Sequence, residues 1–234
     1  MDLELHNKVV LITGGGKGIG AAISRAVFQE GARPVIADRD TEAGEELARE
    51  LSRGEASSRF IPVELTSVQS CGAAIEQTIK MCGRLDALVN HGGVNDRVGL
   101  EQGSPEAYQA SLERNLLHYY NVAHYALPHL KRSQGTIVNI ASKTAVTGQG
   151  GTSGYASAKG AILALTREWA VELLPYGIRV NAIVPAAVMT PRMTTAEEIA
   201  AIALFLLSSK AAGHVTGQHL FVDRGYVQLD PAIT

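Results

Sequence analysis

The chain has 234 residues, of which 46% are hydrophobic and 19% are charged, and its formal net charge is -2. A chain of this size and composition folds as one globular domain around a single core and is neither disordered nor fibrous. Basic and acidic residues are interspersed, which excludes a basic surface for nucleic acid, so the expected partner is a small molecule.

The cysteines and the first residues indicate the compartment. Cys71 and Cys82 are the only two cysteines and fall in one predicted helix, so no disulfide framework is expected, as in a reducing compartment. Residues 1–4 lack the basic start and apolar run of a secretory signal. No apolar run approaches the roughly 20 residues that span a bilayer. The sequence therefore predicts a cytoplasmic protein that has no membrane partner.

Strand and helix patterns alternate along the chain. Short apolar, β-branched runs predict strands at Lys8–Thr13, Arg33–Asp38, Arg59–Glu64, Asp86–Asn90, Gly135–Ala141, Ile178–Val184 and His219–Val222. Between them, helical periodicity predicts helices at Gly18–Glu30, Thr41–Ser52, Ser67–Cys82, Pro105–Lys131, Ser153–Leu174 and Thr195–Ser209. End signals support these bounds: Ser67 and Ser104 as N-caps, Pro105 in a first turn, and Gly31, Gly83 and Gly177 at helix ends.

This alternation determines the predicted fold class. Continuously apolar strands are typical of a sheet covered on both faces, and strict β-α alternation favours parallel strands with right-handed crossovers. We expect an α/β protein with a doubly wound Rossmann fold, in which a seven-stranded parallel sheet has helices on both faces. No repeat, linker or low-complexity segment interrupts the pattern, so residues 1–234 are predicted to form a single domain.

A glycine-rich loop, Thr13-Gly14-Gly15-Gly16-Lys17-Gly18-Ile19-Gly20, follows the first strand and opens the first helix. Glycines let the backbone turn tightly and approach a pyrophosphate, and the helix N-terminus supplies free N–H groups and partial positive charge. Eighteen residues after Gly20, Asp38 ends the second strand, where an acidic residue would hold a ribose hydroxyl. The loop and the carboxylate together predict a dinucleotide site.

Charges near this loop bear on which dinucleotide binds. Asp38 favours NAD, because a carboxylate there repels the 2′-phosphate of NADP. Lys17 and Arg39 are cations that could hold that phosphate, or they could be ordinary solvated charges, so NADP stays the alternative. Glu64 and Leu65 follow the third strand and could flank the adenine, although Glu64 could equally be a plain surface carboxylate.

A tyrosine and a lysine form the candidate catalytic pair. Tyr155 and Lys159 lie four residues apart on one predicted helix face. A tyrosine hydroxyl is a poor base at neutral pH, and a nearby ammonium favours its ionised form. Ser142, thirteen residues before Tyr155, ends the fifth strand, where its hydroxyl could bind the reacting oxygen. Chance would produce this triplet in roughly one chain in a hundred of this composition.

These motifs resemble those of the short-chain dehydrogenase/reductase family, and the resemblance covers nearly the whole chain. Thr13–Gly20 resembles the family's cofactor loop, and Ser142, Tyr155 and Lys159 match its catalytic serine, tyrosine and lysine. Asn115 falls where the family has a helix asparagine that holds a proton-relay water. The resemblance implies an NAD(P)-dependent enzyme acting on CH–OH groups.

Further segments also resemble family motifs, with departures. Asn90-His91-Gly92-Gly93 resembles the segment Asn-Asn-Ala-Gly, departing at His91 and Gly93. Arg179-Val180-Asn181 followed by Pro185 resembles the motif after the sixth strand, with Ala186 in place of a glycine, and Val222-Asp223-Arg224-Gly225 resembles a closing Val-Asp-Gly-Gly. The cofactor is therefore expected to contact Asn90, Gly92, Pro185, Val188 and Thr190, with Thr190 at the nicotinamide carboxamide.

The mechanism that the resemblance implies gives each catalytic residue a role. Ser142 hydrogen-bonds the substrate oxygen, and Tyr155 removes the hydroxyl proton while hydride passes to the nicotinamide. Lys159 binds the ribose hydroxyls and keeps Tyr155 acidic, and Asn115 with water returns the proton to solvent. In the reverse direction Tyr155 acts as the acid.

Polar side chains after the fourth and fifth predicted strands indicate what kind of substrate is bound. A sugar would use such a lining, because buried hydroxyls need hydrogen-bond partners. Residues 113–120 and 142–150 resemble bacterial sugar dehydrogenases of the L-fucose type. A sugar is therefore the predicted substrate, in contact with Asn95, Ser142, Lys143, Gln149 and Tyr155.

Other interpretations stay open. The polar loops could simply be solvated or lie in subunit contacts, and an acyl-thioester keto reductase is the alternative enzyme. A protein of another class, a dinucleotide-binding regulator without catalysis, is less favoured because Asn115, Ser142, Tyr155 and Lys159 are all present. Within the family, helices corresponding to those that carry Tyr119, Tyr120, Tyr125 and Trp169 pair between subunits, so a homotetramer is expected, with packing inside one chain as the alternative.

The segment after the sixth strand is short for a fold whose ligands are often covered by a lid at this point. Pro185–Thr195 runs almost directly into the next helix. Either the lid is truly reduced, or a mobile lid is missing from the numbered chain between Pro191 and Arg192. The second interpretation is favoured.

Overall fold

The computed structural model describes residues 2–53, 56–186 and 194–227. Its strands, in chain order, are β1 (Val9–Thr13), β2 (Arg33–Asp38), β3 (Ser52–Arg53), β4 (Ala56–Ser57), β5 (Arg59–Pro62), β6 (Ala87–Asn90), β7 (Thr136–Ile140), β8 (Arg179–Pro185) and β9 (His219–Val222). Strands β3 and β4 form a small antiparallel hairpin. The other strands form the main sheet.

The helices alternate with these strands. They are α1 (Gly18–Gln29), α2 (Thr41–Glu50), α3 (Val68–Cys82), α4 (Pro105–Leu112), α5 (His118–Ser133), α6 (Ser153–Glu172), α7 (Ala196–Leu207) and α8 (Ser209–Ala212). A π-helical turn at Glu113–Leu117 joins α4 to α5, and short 3₁₀ turns lie at Lys143–Ala145 and Leu174–Tyr176. In the described part of the chain no helix combines the length and apolar character needed to cross a membrane.

The main sheet has seven strands in the order β5-β2-β1-β6-β7-β8-β9, and every neighbouring pair is parallel. The predicted doubly wound, seven-stranded parallel sheet is therefore confirmed. Strands β2 and β9 have the predicted bounds, and the others differ by at most two residues at either end. The β3–β4 hairpin was not predicted, and Ser52, expected at the end of a helix, belongs to it.

Alternating side chains of β1 show why both faces of the sheet are covered. Val9 and Leu11 pack into the hydrophobic core shared with α3, α5 and α6, whereas Val10 and Ile12 pack into the core shared with α1 and α7. All four side chains are buried. Burial of each such side chain stabilises the fold by about 1.5–3 kcal/mol, and a strand that is buried on both faces must be apolar throughout.

Capping groups define where several helices begin and end. The Ser67 and Ser104 hydroxyls accept hydrogen bonds from the first turns of α3 and α4, each at 3.2 Å. Thr195 and Glu198 form a reciprocal capping box at the start of α7. Gly83 ends α3 in a left-handed conformation with φ of 74°, which favours glycine because it has no Cβ.

The aromatic residues on the helices expected to pair between subunits separate into two groups. Tyr119 is fully buried and Trp169 is 7% exposed, so both pack inside their own chain. Tyr120 and Tyr125 are 55% and 38% exposed. For Tyr119 and Trp169 the structure thus favours packing inside one chain, the alternative considered for these residues.

Candidate active site

Two adjoining cavities open at the carboxyl ends of the central strands, where ligands bind in doubly wound folds. The catalytic cavity, of about 280 Å³, is lined by Ile19, His91, Gly93, Asn95, Ile140, Ala141, Ser142, Lys143, Thr144, Gln149, Tyr155, Lys159, Pro185 and Ala186. The adenosine cavity, of about 400 Å³, is lined by Gly14, Lys17, Asp38, Arg39, Asp40, Val63, Glu64, Leu65, Thr66, His91, Gly92, Gly93, Val94 and Arg114. Because His91 and Gly93 line both, the two cavities form one groove.

Most of the predicted site residues line this groove, and five do not. Asn90, Asn115 and the loop glycines Gly16, Gly18 and Gly20 are absent from the lining of both cavities. Val188, Thr190 and the junction between Pro191 and Arg192, where a lid was expected, lie outside the described residues.

The start of α1 fits a pyrophosphate. Lys17 is the N-cap residue, and its side chain makes no capping hydrogen bond, so it leaves the first-turn N–H groups of α1 available to an anion. A Cβ on Gly20 would overlap the carbonyl oxygen of Gly14. The loop can therefore fold closely over the helix only because residue 20 is glycine, and the donor set suits the phosphates of a dinucleotide.

Asp38 lies where the ribose of adenosine is expected. Its carboxylate accepts the backbone N–H of Gly16 at 2.9 Å and that of Asp40 at 3.1 Å. Lys17, one of the cations considered for a 2′-phosphate, forms an ion pair with Asp40. The local environment of the ribose position therefore contains two carboxylates, and one of the two candidate cations is engaged.

The carboxylate of Glu64 accepts hydrogen bonds from a neighbouring residue in the same turn. It accepts hydrogen bonds from the backbone N–H and the hydroxyl of Thr66, at 3.0 and 2.8 Å, and these bonds lower the pKa of Glu64. Glu64 and Leu65 both line the adenosine cavity. Leu65 packs so closely on Gly92 that a Cβ there would overlap its side chain, which makes Leu65 part of the wall of this cavity.

Ser142, Tyr155 and Lys159 come together in the catalytic cavity. Ser142 follows β7, and its hydroxyl oxygen accepts hydrogen bonds from the backbone N–H of Thr144 at 3.3 Å and from the Thr144 hydroxyl at 3.1 Å. Tyr155 and Lys159 lie one turn apart on α6. The serine is thereby held at the end of its strand, opposite the helix that carries the other two residues.

Lys159 is buried and is bonded to the protein interior. Its side chain is 3% exposed, and its ammonium donates to the Tyr119 hydroxyl and to the Ile140 carbonyl oxygen, both at 2.9 Å. The Tyr155 ring centroid is 5.6 Å from the ammonium nitrogen. Burial disfavours the charged form and lowers the pKa of Lys159 to about 7.

The pKa of Tyr155 departs from the sequence-based expectation. Lys159 was expected to lower it, but burial raises the pKa of Tyr155, and the hydrogen bond with Ser142 opposes that rise only in part. The physical reason is that burial penalises the charged phenolate, while burial also disfavours the charged form of Lys159. The protein alone therefore does not make this phenol acidic.

Asn115 lies at the centre of the π-helical turn and is fully buried. Its side-chain oxygen accepts the backbone N–H of Val94 at 2.7 Å, and its amide nitrogen donates to the Ser111 carbonyl at 3.0 Å. The side chain therefore orders the loop after β6. The Asn90 amide donates to the side-chain oxygen of Asn139 at 3.1 Å and ties β6 to β7.

The predicted substrate residues Asn95, Lys143 and Gln149 line the same cavity as Ser142. The Lys143 ammonium lies 3.9 Å from the ring centroid of Tyr226, a residue just past β9. Sequence analysis missed Tyr226, because nothing in the pattern shows that this end of the chain returns to the loop after β7.

Two histidines beside the groove also escaped the sequence analysis as site residues. Nδ1 of His91 lies 3.1 Å from the Gly14 carbonyl, and since a carbonyl only accepts, this nitrogen carries the proton. Burial, and then the charge of Lys159, lower the pKa of His91 to about 4 and that of His118 to about 3. Both rings are therefore neutral at physiological pH.

Comparison with known proteins identifies relatives that are similar in sequence and in structure. Residues 8–200 match the family described as short chain dehydrogenase. An L-fucose dehydrogenase of Bos taurus is 35% identical, with 96% of this chain and 91% of that protein covered. That alignment spans 252 positions against the 234 residues of this chain, so the bovine protein contains residues that have no counterpart here.

Two solved structures are similar over almost their whole length. The Cj0485 dehydrogenase has a TM-score of 0.92 at 41% identity, with 98% of each chain covered. A 3-ketoacyl-(acyl-carrier-protein) reductase from Brucella melitensis, complexed with NADH, has a TM-score of 0.88 at 30% identity, with 95% of this chain and 99% of that chain covered.

Proposed function

This chain belongs to the short chain dehydrogenase family, and from that premise we propose that it is an NAD-dependent dehydrogenase of an L-fucose-like sugar. As a family member it is an oxidoreductase that acts on CH–OH groups with a nicotinamide cofactor. The observation that carries the proposal is the catalytic cavity, which Ser142, Tyr155 and Lys159 line together with polar loop residues.

Each catalytic side chain has a defined task. When bound, the nicotinamide takes up the hydride in alcohol oxidation and supplies it in carbonyl reduction. The Ser142 hydroxyl binds and orients the reacting oxygen. Tyr155 removes the substrate hydroxyl proton as a phenolate and returns it as a phenol in the reverse reaction. Lys159 contributes a positive charge that favours the phenolate, and it donates to the ribose hydroxyls.

Lowering the pKa of Tyr155 is a task that the protein shares with the cofactor. Because burial raises this pKa, a base at neutral pH needs positive charge brought close to the phenol. A bound oxidised nicotinamide would supply such a charge, and Tyr155 and Lys159 line the cavity that would hold it. The base would thus be generated only in the loaded enzyme.

The proposed cofactor is NAD. The adenosine cavity presents the carboxylates of Asp38 and Asp40, and a dianionic 2′-phosphate at this position would be repelled by both. Lys17 is paired with Asp40. Arg39 is the remaining candidate for a phosphate contact, so the ratio of kcat/KM with NAD to that with NADP is the measurement that tests this choice.

A sugar is the proposed substrate because the cavity offers hydrogen-bonding groups around the reacting position. Asn95, Lys143 and Gln149 line it beside Ser142 and Thr144, and a polyhydroxylated ring needs such partners when it leaves water. Similarity to the bovine L-fucose dehydrogenase supports this choice. Similarity to the Brucella reductase makes a 3-oxoacyl thioester the second candidate.

A substrate panel with a matched inactive variant tests the proposal. Reduction of NAD is followed with L-fucose, L-galactose and D-arabinose, and oxidation of NADH is followed with a β-keto ester. We expect the largest kcat/KM with one of the sugars, and a loss of about 10²–10⁴-fold or more in Tyr155→Phe, because the proton-transferring hydroxyl is removed. Equal rates in both proteins would disprove the catalytic assignment, and faster turnover of the keto ester would favour the thioester reductase.

We also propose that the chain assembles as a homotetramer through the outer face of α5 and α6. Tyr120 is 55% exposed and Val171 is 74% exposed, and they lie on these two helices. Such apolar exposure is typical of an interface. Light scattering after size-exclusion chromatography should give four times the chain mass, and Tyr120→Glu with Val171→Glu should reduce that mass.

A further inference from the structure

Tyr119 contacts the catalytic lysine from the interior of the protein. It lies on α5, is fully buried, and its hydroxyl accepts a hydrogen bond from the Lys159 ammonium at 2.9 Å. The same hydroxyl donates to the Ile140 carbonyl oxygen at 2.8 Å. Because Lys159 also donates to Ile140 at 2.9 Å, the three groups form a closed triangle of hydrogen bonds.

This triangle determines how the ammonium is oriented. An ammonium has three N–H bonds, and the triangle engages two of them on the interior side. Lys159 also lines the catalytic cavity, so the third N–H bond is the one left for a ligand there. Without the triangle, the head group could rotate and the remaining bond would have no fixed direction.

We propose that Tyr119 is a positioning residue for Lys159. The Tyr119 hydroxyl, which is anchored on the Ile140 carbonyl, directs the free N–H bond of the Lys159 ammonium toward the cofactor ribose. This inference rests on the proposed function, because it assumes that a nicotinamide cofactor occupies the catalytic cavity. Tyr119 itself touches neither cavity and acts through Lys159.

The surroundings of Lys159 explain why a hydroxyl is needed at this position. The titratable side chains that face the ammonium are His91 in the loop after β6, His118 and Tyr119 on α5, and Tyr155 on α6. Both histidines are neutral, since their pKa values are lowered to about 4 and about 3. The Tyr119 oxygen and the Ile140 carbonyl are therefore the acceptors that offset desolvation of the charged lysine.

Tyr119→Phe removes the hydroxyl and keeps the ring, so it isolates the proposed role. Loss of an acceptor for a charged donor disfavours the ammonium and lowers the pKa of Lys159. NADH binding, followed by the fluorescence of the nicotinamide, should weaken with rising pH in both proteins as Lys159 loses its proton. In Tyr119→Phe this transition should lie about one pH unit lower.

Kinetics supply a second measurement. In Tyr119→Phe we expect kcat for sugar oxidation to fall about tenfold, with the KM for the sugar nearly unchanged, because the substrate contacts are intact. The high-pH limb of the kcat profile should move to lower pH by the same amount as the NADH transition. Tyr108→Phe, a change of the same kind on α4, alters an exposed ring outside the lining of both cavities and should reproduce the unsubstituted protein.

A double-mutant cycle separates positioning from general packing. If Tyr119 acts through Lys159, then Tyr119→Phe should have no further effect on the NADH Kd in a Lys159→Met background. A folded Tyr119→Phe protein whose pH profiles superimpose on those of the unsubstituted protein would overturn the inference. Should this variant not fold, Tyr119→Met, which fills the space without a hydrogen bond, is measured in the same way.

Failure of the proposed function gives a different result. If the unsubstituted protein binds no NADH and turns over no substrate, the function is wrong. If it binds NADH with the expected pH dependence, and Tyr119→Phe does the same at unchanged pH, only the role of Tyr119 is wrong.

Discussion

The Asp38 carboxylate accepts the backbone N–H of Gly16 at 2.9 Å. The residue that is proposed to bind the adenosine ribose therefore also fixes the turn of the glycine loop. This double use makes the choice of substitution important, since removal of the side chain would disturb the loop together with the charge.

Asp38→Asn separates these two effects. Asparagine keeps an oxygen for the Gly16 N–H but carries no charge, so the loop should persist while the repulsion of a 2′-phosphate disappears. We expect the ratio of kcat/KM with NAD to that with NADP to fall at least tenfold, with the midpoint of thermal unfolding changed by only a few degrees. An unchanged ratio in a folded variant would show that Asp38 does not select the cofactor.

Ser142→Ala should change the pH dependence of sugar oxidation. Burial raises the pKa of Tyr155 and the Ser142 hydroxyl opposes this rise, so loss of the hydroxyl should move the pKa further up. Because oxidation needs the phenolate, the low-pH limb of the kcat/KM profile should move to higher pH. The maximal rate should also fall about 10²–10³-fold, as when one donor to a reacting oxygen is removed. A lower rate with an unshifted limb would contradict the hydrogen bond between the two side chains.

Replacing either of two helical glycines with alanine should change the free energy of unfolding, but in opposite directions. A Cβ at Gly20 would overlap the Gly14 carbonyl, whereas the nearest atom to a Cβ at Gly160 is 3.9 Å away. Gly20→Ala should therefore destabilise the protein by about 1–3 kcal/mol through overpacking and weaken NADH binding at least tenfold. Gly160→Ala should stabilise α6 by about 0.5–1 kcal/mol, the usual gain in helix propensity. Urea unfolding and NADH titration measure both, and equal responses would refute the close approach.

Lys143→Met should weaken substrate binding without changing cofactor binding. Lys143 lines the catalytic cavity and lies over the Tyr226 ring, so its loss removes a donor to a sugar hydroxyl and the contact that holds it in place. We expect the KM for the sugar to rise about fivefold or more, with the NADH Kd constant. Lys131→Met is the matched control, because Lys131 lies 3.6 Å from the Tyr176 ring centroid, outside the lining of either cavity. The same rise in both variants would point to a general effect of charge.

The strands and the capped helix ends could be predicted from the sequence because their signals are local. A buried parallel strand must be apolar throughout, and a serine N-cap or a left-handed glycine marks a boundary by its own chemistry. For this reason β2 and β9 were predicted to the residue, and Gly83 was identified at the end of α3.

The surroundings of Lys159 could not be predicted, because they depend on a local change of helix geometry. Residues 105–131 were predicted as one regular helix, whereas the π-helical turn at Glu113–Leu117 inserts one extra residue into the pattern. Each residue of an α-helix advances by about 100°, so everything after the turn faces a different direction. Tyr119, two residues past the turn, is fully buried beside Lys159.

The burial of Lys159 has a consequence for folding as well as for chemistry. Its pKa is about 7 in the folded protein against an ordinary value of 10.5, so between these two values the unfolded chain binds more protons than the folded one. The free energy of unfolding should therefore rise with pH across this window, and below about pH 7 the folded state bears the whole cost, on the order of a few kcal/mol. Lys159→Met should accordingly melt at a higher temperature than the unsubstituted chain near neutral pH and lose that advantage toward pH 10. Lys159 is thus needed for the proposed reaction and at the same time lowers the stability of the folded protein. A more heat-resistant form of this protein would be expected to offset that cost with better packing at other core positions.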